Sequence, residues 1–130
     1  MKLGDKIQSA DWKAEKHVPV IEAPETVAAG ELFNVTVSVG KEIAHPNTTE
    51  HHIRWIDVYF QPDGDKFVYQ VAHFDFNAHG ESAKGANQGP VYTHPLASFS
   101  MKVEGAGTLM AVSLCNIHGL WESSAELKIA

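Results

Sequence analysis

The one cysteine of this chain, Cys115, is separated by two residues from His118 in the stretch "LCNIHGLW" (114–121). A thiol near an imidazole can be a buried core group, a nucleophile with its base, or a soft pair of metal ligands, and each role needs different companions. The nucleophile reading fits poorly, because the base of a cysteine nucleophile is normally supplied from a distant part of the chain. The companions here are histidines. There are eight in the chain: His17 in "EKHVP" (15–19), His45, His51 and His52 in "HPNTTEHH" (45–52), His118, and the scattered His73, His79 and His94. Adjacent residues of an extended segment point to opposite faces, so only one of His51 and His52 is expected at a given ion. Imidazoles with a thiolate favour a transition metal over calcium or magnesium. A blue-copper site would use two histidines, the cysteine and a weak axial methionine, but Met101 and Met110 precede Cys115 and no methionine follows His118. A structural zinc would be satisfied by four ligands and would leave a donor surplus.

The elements that must position these groups are strands. In "LFNVTVSV" (32–39), Phe33, Val35, Val37 and Val39 alternate with Asn34, Thr36 and Ser38, the pattern of a half-buried strand. "IRWIDVYFQ" (53–61) and "FVYQVAHFDF" (67–76) are rich in aromatic and β-branched residues around the turn "PDGD", and they predict a hairpin. "ASFSMKVE" (97–104) and "TLMAVSL" (108–114) predict a second hairpin around "GAG", with "VPVIEA" (18–23) as an early strand and "SAELKI" (124–129) as the last. Seven short strands without an amphipathic helix imply an all-β chain, a seven-stranded immunoglobulin-like β-sandwich ahead of a small barrel. The Gly-rich, polar stretch 77–95 is expected to be a long loop.

Length and composition bound the rest. A chain of 130 residues is the size of one domain, read as 1–130 with no repeat or linker. The net charge of −6 and the lack of a basic run exclude a nucleic-acid footprint, and no apolar run is long enough for a membrane helix. The N-terminus carries no apolar signal core, and a single cysteine cannot close an internal disulfide, so a cytoplasmic location is expected.

Taken in order, "EKHVP" (15–19), "HPNTTEHHIRW" (45–55), "AHGES" (78–82) and "CNIHGLW" (115–121) resemble superoxide reductase of the one-domain, neelaredoxin type, within the desulfoferrodoxin iron-binding family. The four motifs span nearly the whole chain. The two-domain relatives carry an extra four-cysteine site for which this chain has neither cysteines nor length. The resemblance implies an immunoglobulin-like sandwich, commonly a homotetramer, with one non-haem iron (Fe2+/Fe3+) per chain. It also implies one-electron reduction of superoxide to hydrogen peroxide without production of dioxygen, with electrons from a small donor such as rubredoxin. By motif, the metal ligands would be His17, His45, His51 and His118 in the equatorial positions and Cys115 in the axial one. Glu15 would take the sixth position in the ferric state, and Lys16 would be the cation beside that position in the ferrous state. His52, His73, His79 and His94 match no ligand position. Ala44 and Leu114 depart from the residues expected before His45 and Cys115, and neither change removes a donor atom.

Overall fold

Alternating side chains bury one face of each strand and leave the other in contact with water, and two such sheets closing face to face form the core of this chain. A computed structural model describes residues 1–130. Its strands are β1 (Pro19–Glu22), β2 (Thr26–Val27), β3 (Phe33–Val39), β4 (Ile53–Pro62), β5 (Tyr69–Asp75), β6 (Leu96–Met101), β7 (Gly107–Cys115) and β8 (Gly119–Ile129). They form a three-stranded sheet in the order β1-β3-β6 and a five-stranded sheet in the order β2-β8-β7-β4-β5. Val35, Val37 and Val39 of β3 meet Ile56, Val58 and Phe60 of β4 and Leu109 and Ala111 of β7 in one buried cluster. Cys115 belongs to it as well. No helix is long and apolar enough to cross a membrane.

The structure is an immunoglobulin-like β-sandwich, and it differs from the sequence reading in three places. The first is β6 and β7, which are not a hairpin. β6 pairs with β3, with Phe33 opposite Met101, whereas β7 lies between β4 and β8 in the other sheet. The link around "GAG" therefore crosses from one sheet to the other. Alternation shows which face of a strand is apolar, but the pairing partner depends on which sheet has an open edge. The second is an eighth strand, β2, of only two residues, which pairs in parallel with the end of β8. Two residues are too few to show a period. The third is β8, expected over 124–129, which begins at Gly119. Before β1 the chain turns at Glu15, whose carbonyl accepts the Val18 N–H at 3.4 Å.

The β4–β5 hairpin forms around "PDGD", with Asp65 N–H donating to the Pro62 carbonyl at 3.1 Å. Residues 77–95 form the expected long loop, which contains one isolated bridge between His79 and Tyr92.

Candidate metal centre

Three loops bring the chemistry to one end of the sandwich. The turn before β1 supplies His17, the connection from β3 to β4 supplies His45 and His51, and the β7–β8 turn supplies His118. Along β7 every second residue faces the core, from Gly107 through Leu109, Ala111 and Ser113 to Cys115. The thiol is thus the last inward side chain of its strand. Cys115 pairs with Gly119 across a three-residue turn, and Gly119 takes φ +80°, the left-handed conformation that closes such a turn. The turn brings the His118 N–H to Cys115 Sγ at 3.4 Å, and His118 Nδ1 lies 3.8 Å from the same sulfur.

Donor atoms of His17, His45, His51 and Cys115 all lie within 4.8 Å of one another. His118 joins them, with its Nδ1 at 3.1 Å from His17 Nε2 and 3.3 Å from His51 Nε2. The four imidazoles form a closed ring. Centroids of neighbours are 4.9 Å apart for His17 and His45, 4.7 Å for His45 and His51, 5.0 Å for His51 and His118, and 4.7 Å for His118 and His17. His17 and His51 face each other across the ring at 6.3 Å.

The hydrogen bonds on the outer nitrogens of His17 and His45 leave their inner nitrogens free to hold a cation. His17 Nδ1–H donates to Glu15 Oε1 at 2.7 Å, which leaves a lone pair on His17 Nε2. His45 Nδ1–H donates to the Pro46 carbonyl at 2.6 Å, and the buried His45 Nε2 has no hydrogen-bond partner. Lone pairs that converge in a buried space repel one another unless a positive charge sits between them. Partners on the outer nitrogens that hold each ring in one tautomer are the usual support of metal-ligating histidines. Burial pushes His45 down to about 4, so its imidazole is neutral and ready to ligate. His51 is lowered as well, by burial first and then by His118 and His17. A thiolate with several imidazoles suits a transition metal, and the five donors exceed both the blue-copper pattern and four-coordinate zinc.

Glu15 is not among the convergent donors. Its carboxylate accepts from His17 Nδ1–H and from the His17 backbone N–H at 3.2 Å, and the bond from the imidazole holds Glu15 below the usual carboxylate range. Lys16 lies between them. Because the chain turns here, Glu15, Lys16 and His17 line one open cleft with Ala14, Ile43 and His118. His52 turns away from the ring and stacks on His79 with centroids 3.5 Å apart. His73 binds Asp57 and Asp75 on the outer face of the β4–β5 hairpin.

Two supports were not singled out as functional residues in the sequence. Trp121 stacks on the His17 ring at 5.0 Å, and its Nε1–H donates to the His118 carbonyl at 3.2 Å. Asn116 donates from its side chain to the Glu50 carbonyl and from its backbone to the His52 carbonyl, tying the cysteine turn to the histidine loop. Trp121 ends the quoted motif, but nothing in its type or spacing indicates a ring stacked beneath it.

A β-sandwich that gathers one thiol and four imidazoles at its loop end defines a protein with a candidate site for one metal ion. The family model for desulfoferrodoxin matches residues 9–124, and the chain belongs to that family. It is 64% identical to neelaredoxin of Megalodesulfovibrio gigas over 95% of this chain and 95% of that one. It is 56% identical to superoxide reductase of Pyrococcus furiosus over 97% of this chain and 99% of that one. The crystal structure of the superoxide reductase (neelaredoxin) of Archaeoglobus fulgidus in its reduced form superposes with a TM-score of 0.88 at 57% identity, covering 95% and 98% of the two chains.

Proposed function

We propose that this chain is a superoxide reductase, that residues 1–130 act as one iron-binding unit, and that His17, His45, His51, His118 and Cys115 hold a single iron. The observation that carries the reading is the closed ring of four imidazoles with the Cys115 sulfur against it. Held by these residues, iron would supply on passing from Fe2+ to Fe3+ the one electron that superoxide takes up, together with two protons, to become hydrogen peroxide.

The chain's own residues do the rest. Lys16 raises the positive potential at the cleft beside His17 and His118, where an anion arrives. Glu15 sets the His17 tautomer, and its carboxylate is the group on this cleft that would approach the metal in the ferric state. Trp121 fixes the plane of the His17 ring. Cys115 acts as the thiolate, the reactive and ligating form of cysteine. A homotetrameric assembly and a small electron donor such as rubredoxin belong to the same reading and rest on the family resemblance, while a cytoplasmic location rests on the single cysteine, which closes no internal disulfide.

Metal analysis combined with visible spectra of oxidised and reduced protein tests the proposal. One iron per chain, a thiolate band that bleaches on reduction and consumption of superoxide without release of dioxygen are expected. One zinc per chain with no redox-dependent spectrum would overturn it.

A further inference from the structure

The loop that carries His45 and His51 has neither strand nor helix between residues 45 and 52, yet two of the ring's four imidazoles depend on its path. Its own bonds are few. His51 N–H donates to Thr48 Oγ1 at 3.0 Å, and Thr48 N–H donates to the His51 carbonyl at 2.9 Å. Asn116 of the β7–β8 turn holds Glu50 and His52, and the rest of the order comes from the long loop after β5, which grips it at three places. Asn47 donates to the Thr93 carbonyl at 3.0 Å, Thr49 Oγ1 donates to the His79 carbonyl at 3.1 Å, and Asn87 engages both residues that precede His51. Asn87 Oδ1 accepts the Thr49 N–H at 2.8 Å, and Asn87 Nδ2 lies 3.2 and 3.0 Å from the two carboxylate oxygens of Glu50. The Asn87 N–H donates to Thr49 Oγ1 at 3.2 Å.

Asn87 is also the one residue other than glycine with positive φ, at 61°. Asparagine tolerates that conformation better than most residues, and here it aims one short amide at an acceptor and a donor at once. The gripping loop is internally braced. Gly80 and Gly89 bond through Gly89 N–H to the Gly80 carbonyl at 3.0 Å, and Thr93 N–H donates to the Ala78 carbonyl at 2.7 Å.

We propose that residues 78–93 are a clamp on the ligand loop and that Asn87 is a positioning residue for His45 and His51, acting through Thr49 and Glu50. The proposal rests on the reading of the ring as an iron centre. Residues that orient metal ligands at one remove typically change metal affinity by ~10–100-fold when replaced.

The test is the rate at which a strong Fe2+ chelator extracts iron from reduced holoprotein. Asn87→Gly keeps the left-handed backbone and removes only the side chain, so release should accelerate roughly tenfold. Asn87→Asp should also accelerate it, because a carboxylate then faces Glu50. Adding Glu50→Gln to Asn87→Asp restores an amide opposite a carboxylate, and release should return towards the wild-type rate. Thr36→Ala, which removes the Thr36–Ser98 hydroxyl bond in the three-stranded sheet, controls for general loss of stability and should release iron at the wild-type rate. Wild-type retention in Asn87→Gly, equal acceleration in Thr36→Ala, or no rescue in the double variant would overturn the clamp. Amide exchange at Thr49 in metal-free protein separates this proposal from the iron reading. A wild-type chain that takes up no iron sinks that reading, while the clamp still stands or falls on faster Thr49 exchange in Asn87→Gly.

Discussion

Cys115 and His118 reach the centre from a three-residue turn between paired strands, whereas His45 and His51 reach it from an irregular loop between the two sheets. The first pair is held locally. β7 and β8 are in register up to Cys115 and Gly119, and the turn's own N–H meets the sulfur. The second pair has no ladder beneath it and draws its order from residues distant in sequence, Asn87 of the loop after β5 and Asn116 of the cysteine turn. A short closed turn loses little further entropy when it binds a metal, while a longer loop must be ordered by something else. One centre therefore combines a preformed half and a clamped half.

The largest effect is expected from breaking the preformed half at its donor. Cys115→Ser should abolish the visible thiolate band of the oxidised protein and reduce superoxide consumption beyond the ~10–100-fold typical of losing a supporting residue. An unchanged spectrum would make Cys115 a core thiol only.

Next comes a contrast between two glycines. Gly40 has φ +89°, and a Cβ there would lie 2.7 Å from the His45 backbone nitrogen, so Gly40→Ala must displace the start of the ligand loop. Gly119 has φ +80° with open space around it, so Gly119→Ala adds only backbone strain of about 1 kcal/mol. Iron affinity should drop roughly tenfold or more in Gly40→Ala and much less in Gly119→Ala, measured by competition with a chelator. Equal losses would mean that the two halves are held in the same way.

A smaller effect concerns the cleft. The chain carries a net charge of −6, yet the substrate is an anion, and at 0.1 M salt only charges within ~10 Å act on it strongly. Lys16→Ala should slow the second-order reaction of reduced protein with superoxide by roughly tenfold, with a weaker dependence on ionic strength than wild type and unchanged iron content. Pulse radiolysis across a salt series measures both. Equal rates and slopes would make Lys16 an ordinary surface lysine.

The smallest effect lies outside both halves. Asp57 first, and then Asp75, raise His73 above its ordinary 6.5. A base whose pKa is higher in the folded state contributes fully below its unfolded value and loses that contribution as pH rises through the folded value. The side chain is 44% exposed, so solvent screening keeps the contribution below about 1 kcal/mol. Wild-type stability should therefore fall slightly just above pH 6.5, His73→Gln should lack that slope, and iron content should be the same in both. An NMR titration of His73 at or below 6.5 would remove the basis for this expectation.

The features legible in the sequence were the local ones. Alternation of apolar and polar residues located β1 and β3 to β7 to within a few residues and found the end of β8, because each strand must present an apolar face whatever its neighbours are. Donor chemistry was legible for the same reason: a thiol and imidazoles are what they are before the chain folds. The resemblance supplied which of the eight histidines to group, and periodicity alone left His51 and His52 unresolved. Only the tertiary structure decided that β6 leaves β7 for β3, since two neighbouring strands with the same alternation can pair or cross, and the choice depends on which sheet edge is free. It also decided that Glu15 bonds the His17 ring, that Trp121 stacks on it, and that Asn87 holds Thr49 and Glu50. The effect of those contacts depends on distances that exist only after two sheets and three loops have closed on one another.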